Sequence, residues 1–434
     1  MMPKILIVGT VPYNKKSTSR AFESYFSGWD RECLHQIFSN TKTPTRGHCS
    51  QLYQITDQRM LARWLGKKIE TGVIYRYDDL ESEWTDNDSE VNSAAVSRLY
   101  KMGRRKNALV YLMRRILWRK RYWCDEQLNR WLEEFQPDVV FLSFSDDFFI
   151  QKIALYVAQK FNIPIISTIG DDYYFNVKFS LSPLYWIYKL SYRKLVRKVF
   201  AHGGSAIYIG DKIRDKYNSE FGLDGKTVYL TSDIERRAFR PIRTENPLIT
   251  YFGNIRSGRN ESLNQIGRAL GRINSQYMLE VYSNEPDPKY YSLFEQNPNV
   301  KYMGSVPYSE VQRRMQESDL LLVVEGFSKH DIDVMRYSLS TKVADVLSSG
   351  VCGFAYGSPE CGAIEYAMQC GGIETCASPD IESLEKSLCR LLDSPELQHQ
   401  YYCTAEKVSR ENHTLERSTA IFADVVYGVL RNAK

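Results

Sequence analysis

Two residues in YSLSTKVADVLSSG (337–350) could together hold an anion and a hydroxyl-bearing group. The spacing predicts a helix here, with Ser340 or Thr341 as N-cap, Val343, Val346 and Leu347 on one face, and Gly350 as the stop. Lys342 lies in its first turn, where the helix already carries partial positive charge and a lysine is mildly unfavourable. A bound anion would make that placement favourable, because the N-terminal N–H groups and the lysine would then act on the same charge. Asp345, three residues on, shares the helix face. Its carboxylate repels phosphate but accepts hydrogen bonds from sugar hydroxyls, and phosphate with vicinal hydroxyls describes a nucleoside diphosphate. The plainer alternative is a surface lysine in a local salt bridge with the aspartate.

Other carboxylates fall where strands should end. STIGDDYYF places Asp171 and Asp172 after one strand, with Tyr173, Tyr174 and Phe175 able to stack on sugar, and SFSDDF places Asp146 and Asp147 after another. The C-terminal end of a parallel strand is where open α/β sheets bind ligands. Either pair could instead cap the element that follows, more readily Asp146 and Asp147, since a helix begins there. Asp331 and Asp333 form a DxD, with His330 and Arg336 in the same loop as candidate ligand contacts. No metal site is expected from this DxD, nor from Cys361, Cys370 and Cys376, which have no neighbouring histidine.

Alternating strands and helices position these residues. KILIVGT is a continuous apolar run, as expected of a buried first strand, and PDVVFLSFS, IPIISTIGDD and SAIYIG repeat the signal with helices between. Ser17, Thr18 and Ser19 open the first helix. The charged, proline-bearing stretch 225–247 reads as a linker. The rhythm then restarts through PLITYFGNI, MLEVYS, VKYMGSV, DLLLVVEG and VCGFAYG, and a final helix runs from about residue 411 to 430. Two α/β halves with parallel sheets suggest a cleft between them.

Composition narrows the classes. The chain has 434 residues and a net charge of +5, modest for its length, and no zinc-finger or RNA-binding signature, so no nucleic-acid partner is expected. GxGxxG is absent after the first strand, which argues against a nicotinamide or flavin cofactor. Nine irregularly spaced cysteines favour free thiols in a reducing cytoplasm. The short apolar N-terminus reads as a strand, so no signal peptide is expected, and no window reaches membrane-span length.

At YFGNIRSGRN (251–260), DLLLVVEG (319–326), SLSTKVADVLSSG (338–350) and GSPECGAIEY (357–366), the C-terminal half resembles the GT-B glycosyltransferases, family 4 in particular. The resemblance extends to the first half mainly through residues 137–221. It implies an α/β architecture of two Rossmann-like parallel-sheet domains facing across a cleft: 1–240 for the acceptor, 241–410 for the nucleotide-sugar, and 411–434 as a helix returning to the first domain. It implies retaining, metal-independent sugar transfer, with no cofactor besides the nucleotide-sugar as donor substrate. Donor contacts fall on Gly253, Asn254, Arg256, Arg259, Lys342, Asp345 and Glu360, with His330, Arg336, Ser340 and Thr341 in the adjoining loop. Asp171 and Asp172 match the strand end that faces the acceptor and the reacting bond. The chain departs from the family pattern at Asn254, where an arginine is usual, at Asp345, where glutamate is usual, and at Tyr337, where the first glutamate of a Glu-x7-Glu pair would fall. Asn254 and Tyr337 keep a second reading open, a catalytically weak relative that binds a nucleotide-sugar or glycan within an assembly. A sugar-nucleotide epimerase is a third.

KMGRRKNALVYLMRRILWRKRYW (101–123) carries nine Lys or Arg and no acid. Its apolar residues repeat at helical spacing, with Trp118, Tyr122 and Trp123 among them, as in an amphipathic helix on an anionic membrane. Arg114, Arg115, Arg119 and Lys120 are the expected membrane contacts, and a core-packed helix with a solvated basic face is the alternative. A glycan or polyprenyl-diphosphate-linked acceptor would suit such a surface. The expected location is cytoplasmic, peripheral at the inner face of the cell membrane, with a role in bacterial surface polysaccharide or glycoconjugate synthesis.

Overall fold

A computed structural model describes residues 2–13, 19–82, 108–177 and 179–432. Ser17, Thr18 and the 101–107 start of the basic segment lie outside them. The chain forms two compact units, Met1–Val228 with Thr419–Lys434, and Tyr229–Ser418.

In unit 1 the described strands are β1 (Ile5–Val8), β2 (Leu34–Phe38), β3 (Gln51–Gln54), β4 (Val73–Arg76), β5 (Val139–Ser143), β6 (Ile165–Ile169), β7 (Gly204–Tyr208) and β8 (Lys226–Thr227). They pair in the order β4-β3-β2-β1-β5-β6-β7-β8, and every pairing is parallel except β3 with β4. The order reverses between β1 and β5, the place where open sheets of this kind bind ligands. The helices are α1 (Ser19–Phe26), α2 (Asp57–Trp64), α3 (Ala108–Leu117), α4 (Lys120–Trp123), α5 (Glu126–Phe135), α6 (Phe148–Phe161), α7 (Pro183–Ala201) and α8 (Asp211–Phe221).

In unit 2, β9 (Leu248–Phe252), β10 (Met278–Tyr282), β11 (Val300–Gly304), β12 (Leu320–Val324), β13 (Cys352–Tyr356) and β14 (Glu374–Cys376) pair in the order β11-β10-β9-β12-β13-β14, all parallel. The reversal here lies between β9 and β12. Around the sheet run α9 (Arg259–Ile273), α10 (Tyr308–Glu317), α11 (Lys329–Met335), α12 (Thr341–Ser349), α13 (Gly362–Cys370), α14 (Ile381–Leu392) and α15 (Pro395–Asn412), and α16 (Leu415–Asn432) leads out of the unit. β12 is buried at all five positions, as its unbroken LLLVV sequence requires of a central parallel strand.

Two boundaries differ from the sequence reading. The segment after Val228 packs wholly into unit 2, because its arginines are bound there. Arg236 donates to the carbonyl of Leu347 at the C-terminus of α12 (2.9 Å) and to that of Tyr402 (2.7 Å), where helix-end carbonyls attract a cation. Arg240 and Arg243 close on the fully buried carboxylate of Asp319. The chain returns to unit 1 within α16: Phe422, Val425 and Val426 join Ile5, Phe26 and Phe141 in one core.

Candidate active site

In unit 2 the strand ends on either side of the order reversal carry the polar residues. β9 runs into Gly253 and Asn254, and β12 runs into Glu325. Ser340 caps α12, its hydroxyl accepting from the Lys342 N–H at 3.4 Å, while Val343, Val346 and Leu347 bury the opposite face. Lys342 is thereby directed over Gly253. Its Nζ stands 5.4 Å from the centre of the Tyr251 ring, within cation–π range. A Cβ on Gly253 would lie 2.0 Å from Lys342 Cε, and Gly253 has a φ of 133°, so only glycine fits without strain. Among the described residues, the Lys342 ammonium has no hydrogen bond or ion pair. Desolvation pulls its pKa down to about 8, with Arg259 adding repulsion and Glu325 and Asp345 acting the other way.

The arginines that follow β9 are matched by carboxylates. Arg259, the first residue of α9, is buried; it donates from Nε to the Val324 carbonyl (3.1 Å) and from one terminal nitrogen to Glu325 (2.9 Å). Arg256 forms a two-pronged pair with Glu285, at 2.5 and 2.8 Å, a fork geometry that carboxylate and phosphate share. Asn254 closes its own turn by accepting from the Arg256 N–H (2.7 Å). Asp345 is buried and accepts from the Ser232 hydroxyl (2.7 Å).

The loop residues divide. Arg336, at the end of α11, pairs with Glu360 (2.5 Å). His330 and Thr341 are exposed. Of the DxD, Asp331 is buried and accepts from the Ser328 hydroxyl (2.5 Å), while Ser328 Oγ accepts from its N–H; Asp333 is exposed. That is an N-cap exchange, and among the described residues no cluster of three or more metal-binding side chains forms.

In unit 1, Asp172 holds the turn after β6. Its Oδ1 accepts from the N–H groups of Tyr174 (3.1 Å) and Phe175 (2.8 Å) and from the Tyr217 hydroxyl (2.8 Å). Asp171 is exposed, with the Tyr173 hydroxyl 3.3 Å away. The buried ammonium of Lys189 on α7 ties the loop down by donating to the carbonyls of Tyr173 (2.8 Å) and Asn176 (2.6 Å).

Asp146 and Asp147 follow β5, directly at the order reversal of this sheet. Asp147 is paired with Arg114, which also reaches Asp57 (3.1 Å). Burial raises the Asp147 carboxyl above the usual range, against the pull of Arg114. Asp146 accepts from the Tyr111 hydroxyl (3.1 Å), and Tyr188 donates to its carbonyl (3.1 Å).

The basic segment is not one helix. It breaks at Arg119, which is extended, between α3 and α4. Trp118 and Trp123 are both buried rather than interfacial, and Trp118 donates to Asp57 (2.6 Å). Arg114 therefore faces inward and is not available as the membrane contact that the amphipathic pattern suggested. Arg115, Arg119 and Lys120 are exposed.

Solved structures share this fold. HepE of Anabaena, crystallised with UDP, aligns over 98% of this chain and 100% of its own at 10% identity, with a TM-score of 0.58. The lipopolysaccharide outer core galactosyltransferase WaaB, in its apo form, aligns over 98% and 99% at 12% identity, with 0.54. A glycosyltransferase from Rickettsia africae aligns over 99% and 98% at 12% identity, with 0.56. The fold is GT-B. No family model and no curated protein matches the sequence.

Within that GT-B frame, the sequence reading missed Tyr251, Ser232 and Glu325. Glu325 had a signal: it is an acid placed immediately after the apolar run LLLVV, and a carboxylate buried at such a strand end must be paired. Tyr251 and Ser232 had none, since their contacts to Lys342 and Asp345 span sequence separations of roughly a hundred residues.

Proposed function

We propose that this protein is a retaining, metal-independent glycosyltransferase of family 4 type. It transfers a hexose from a nucleotide-sugar to a glycan or polyprenyl-diphosphate-linked acceptor, in bacterial surface polysaccharide or glycoconjugate synthesis at the inner face of the cell membrane. The observation that carries this reading is the unpartnered, desolvated ammonium of Lys342 at the N-terminus of α12, over Gly253, beside the strand-order reversal of unit 2. A partly buried cation with no ion pair is unfavourable, and an arriving anion relieves that cost. A donor diphosphate is such an anion, and HepE, of the same fold, was crystallised with UDP.

In the proposed mechanism unit 2 takes the donor. Lys342 and the α12 N–H groups stabilise the nucleoside diphosphate as the glycosidic bond breaks, which is charge stabilisation by groups already in place. Arg256 adds a second cation, with Glu285 exchanging for phosphate. Arg259 is held by Glu325 and acts through the local field. Asp345 accepts from ribose hydroxyls in place of Ser232. In unit 1 Asp171, the exposed one of its pair, faces the acceptor, and the acceptor hydroxyl attacks the face from which the diphosphate leaves, giving its proton to the departing phosphate oxygen. No cofactor besides the donor substrate is called for.

The same geometry gives the second reading its footing. Arg256 and Arg259 are each already paired with a carboxylate, and Tyr337 stands where the family has a glutamate. A catalytically weak binder of nucleotide-sugars would tolerate both.

The test is calorimetric titration with UDP, GDP, ADP, CMP and dTDP, repeated on Lys342→Ala, followed by donor turnover with the nucleotide that binds. One nucleotide binding tightly, losing affinity in the variant, and turning over as its sugar conjugate supports transfer. Binding without turnover selects the second reading, and no binding removes the donor site.

A further inference from the structure

We infer that the α3–α7 face of unit 1 docks on an anionic lipid bilayer, with α7 as the principal contact. The observation is a division along one helix. The outward face of α7 is apolar over its first half and basic over its second. Leu184, Trp186, Ile187 and Leu190 are exposed in the first half, Ile187 at 54% and Leu190 at 61%. Lys194, Arg197 and Lys198 are exposed in the second. The opposite face, with Lys189, Tyr192, Val196 and Val199, is buried. Just before the helix, Phe179 and Leu181 are 88% and 89% exposed, more than any other large apolar side chain described, and the Trp186 indole fixes their loop by donating to the Ser180 carbonyl (2.8 Å). Singly exposed apolar residues are ordinary, but a contiguous set rimmed by charge marks an interaction surface.

Charge selects the occupant. No Asp or Glu occurs between residues 173 and 210, a stretch with six Lys or Arg. Helix α3 packs on α7 through stacked Tyr111 and Tyr188 rings, 4.6 Å apart, and leaves Leu109, Met113 and Ile116 exposed. The segment that contains it, 101–124, is also free of acid. Arg115 and Arg119 are close enough to Lys152 to help lower its pKa, after desolvation. Among the described residues, Arg115, Arg119, Lys194 and Lys198 have no acidic partner. Apolar side chains that enter the acyl boundary beside cations that meet lipid phosphates are the composition of an interfacial helix. A protein partner would more often meet a face bearing both signs of charge. Lys189, on the buried side of α7, holds the loop that carries Asp171, so docking would also bring the β6 end of unit 1 to the lipid surface.

The experiment is vesicle flotation of the full chain with phosphatidylcholine alone and with phosphatidylglycerol added, beside light scattering without lipid. The expected result is flotation with the anionic vesicles, weakened by salt. Affinity should fall by about tenfold or more in Ile187→Glu/Leu190→Glu, and the preference for phosphatidylglycerol should shrink in Lys194→Gln/Lys198→Gln. All four positions are exposed, and circular dichroism melts confirm that the variants fold. No flotation, or flotation indifferent to both pairs, overturns the proposal. So does a dimer in light scattering that Ile187→Glu/Leu190→Glu dissolves, since the face would then belong to a second copy. None of these readings depends on nucleotide binding.

Discussion

Lys342 is held over a glycine that has no room for a side chain: a Cβ on Gly253 would stand 2.0 Å from Lys342 Cε and 2.6 Å from Nζ. Gly253→Ala therefore forces the ammonium away as well as straining a backbone at φ 133°. The strain costs about 1–3 kcal/mol. Losing a charge-assisted contact to a diphosphate costs about 1.5–3 kcal/mol, roughly ten- to a hundredfold in affinity. Both Gly253→Ala and Lys342→Ala should weaken nucleotide binding to that extent. The double variant should be no weaker than the worse single one, because the two changes remove the same contact. Additive losses in a calorimetric double-mutant cycle would mean that Gly253 acts independently of Lys342.

Lys342 also predicts a pH dependence. Its pKa in the free protein is lowered to about 8 by desolvation first and by Arg259 second. The charged form binds the diphosphate. Nucleotide affinity should be level below about pH 7 and fall as pH rises through 8, approaching tenfold per unit. An arginine keeps its charge throughout that range. Lys342→Arg should flatten the profile whatever it does to absolute affinity. A wild-type profile flat from pH 7 to 9.5 would remove the lysine from the contact.

How much of this was legible follows from the kind of signal each element carries. β1, β5 and β12 are unbroken apolar runs, and the cap, stripe and terminal glycine of α12 all lie within a dozen residues, so the sequence places them and Lys342 directly. β2 and β3 escaped because their buried positions include His35, Gln36 and Gln54. Loop carbonyls take up the glutamine NH2 groups: Gln36 donates to Val11 (3.1 Å) and Gln54 to Asn40 (2.7 Å). Composition cannot separate such buried polar residues from a loop. The basic segment misled for the reverse reason. Its periodicity continues across Arg119, but the chain turns there, and the partners that draw Arg114 and Trp118 inward, Asp57 and Asp147, lie far off in sequence.

The paired aspartates after β6 should separate by function. Asp172 accepts three hydrogen bonds that fold the Tyr174–Phe175 turn against Tyr217. Asp172→Ala leaves those donors without their acceptor, which should cost about 1–3 kcal/mol of stability. Asp172→Asn keeps an acceptor oxygen and should cost less. Asp171 is exposed, so Asp171→Asn should leave the unfolding midpoint unchanged while lowering transfer. Denaturant unfolding beside a transfer assay distinguishes the two. Full activity in Asp171→Asn would clear it of any part in the reaction.

His413 should make unit 2 sensitive to acid. It is 3% exposed, at the turn between α15 and α16. Its Nδ1 lies 3.0 Å from the Leu230 carbonyl, which can only accept, so Nδ1 carries the proton and Nε2 accepts from the Tyr366 hydroxyl at 3.0 Å. The ring is neutral, and burial, partly opposed by the Leu230 bond, lowers its pKa to about 4. The unfolded chain titrates near the ordinary 6.5. Between those values the unfolded state binds more protons, so the stability from neutral His413 is complete above about pH 6.5 and is lost as pH falls toward 4. At about 1.4 kcal/mol per pKa unit the loss is about 3 kcal/mol. His413→Gln cannot take up a proton and should lose that part of the acid dependence, although it starts less stable at pH 7 through imperfect packing. Urea unfolding at pH 7, 6, 5 and 4.5 on both proteins measures the difference in slope, and equal slopes would place the acid sensitivity elsewhere.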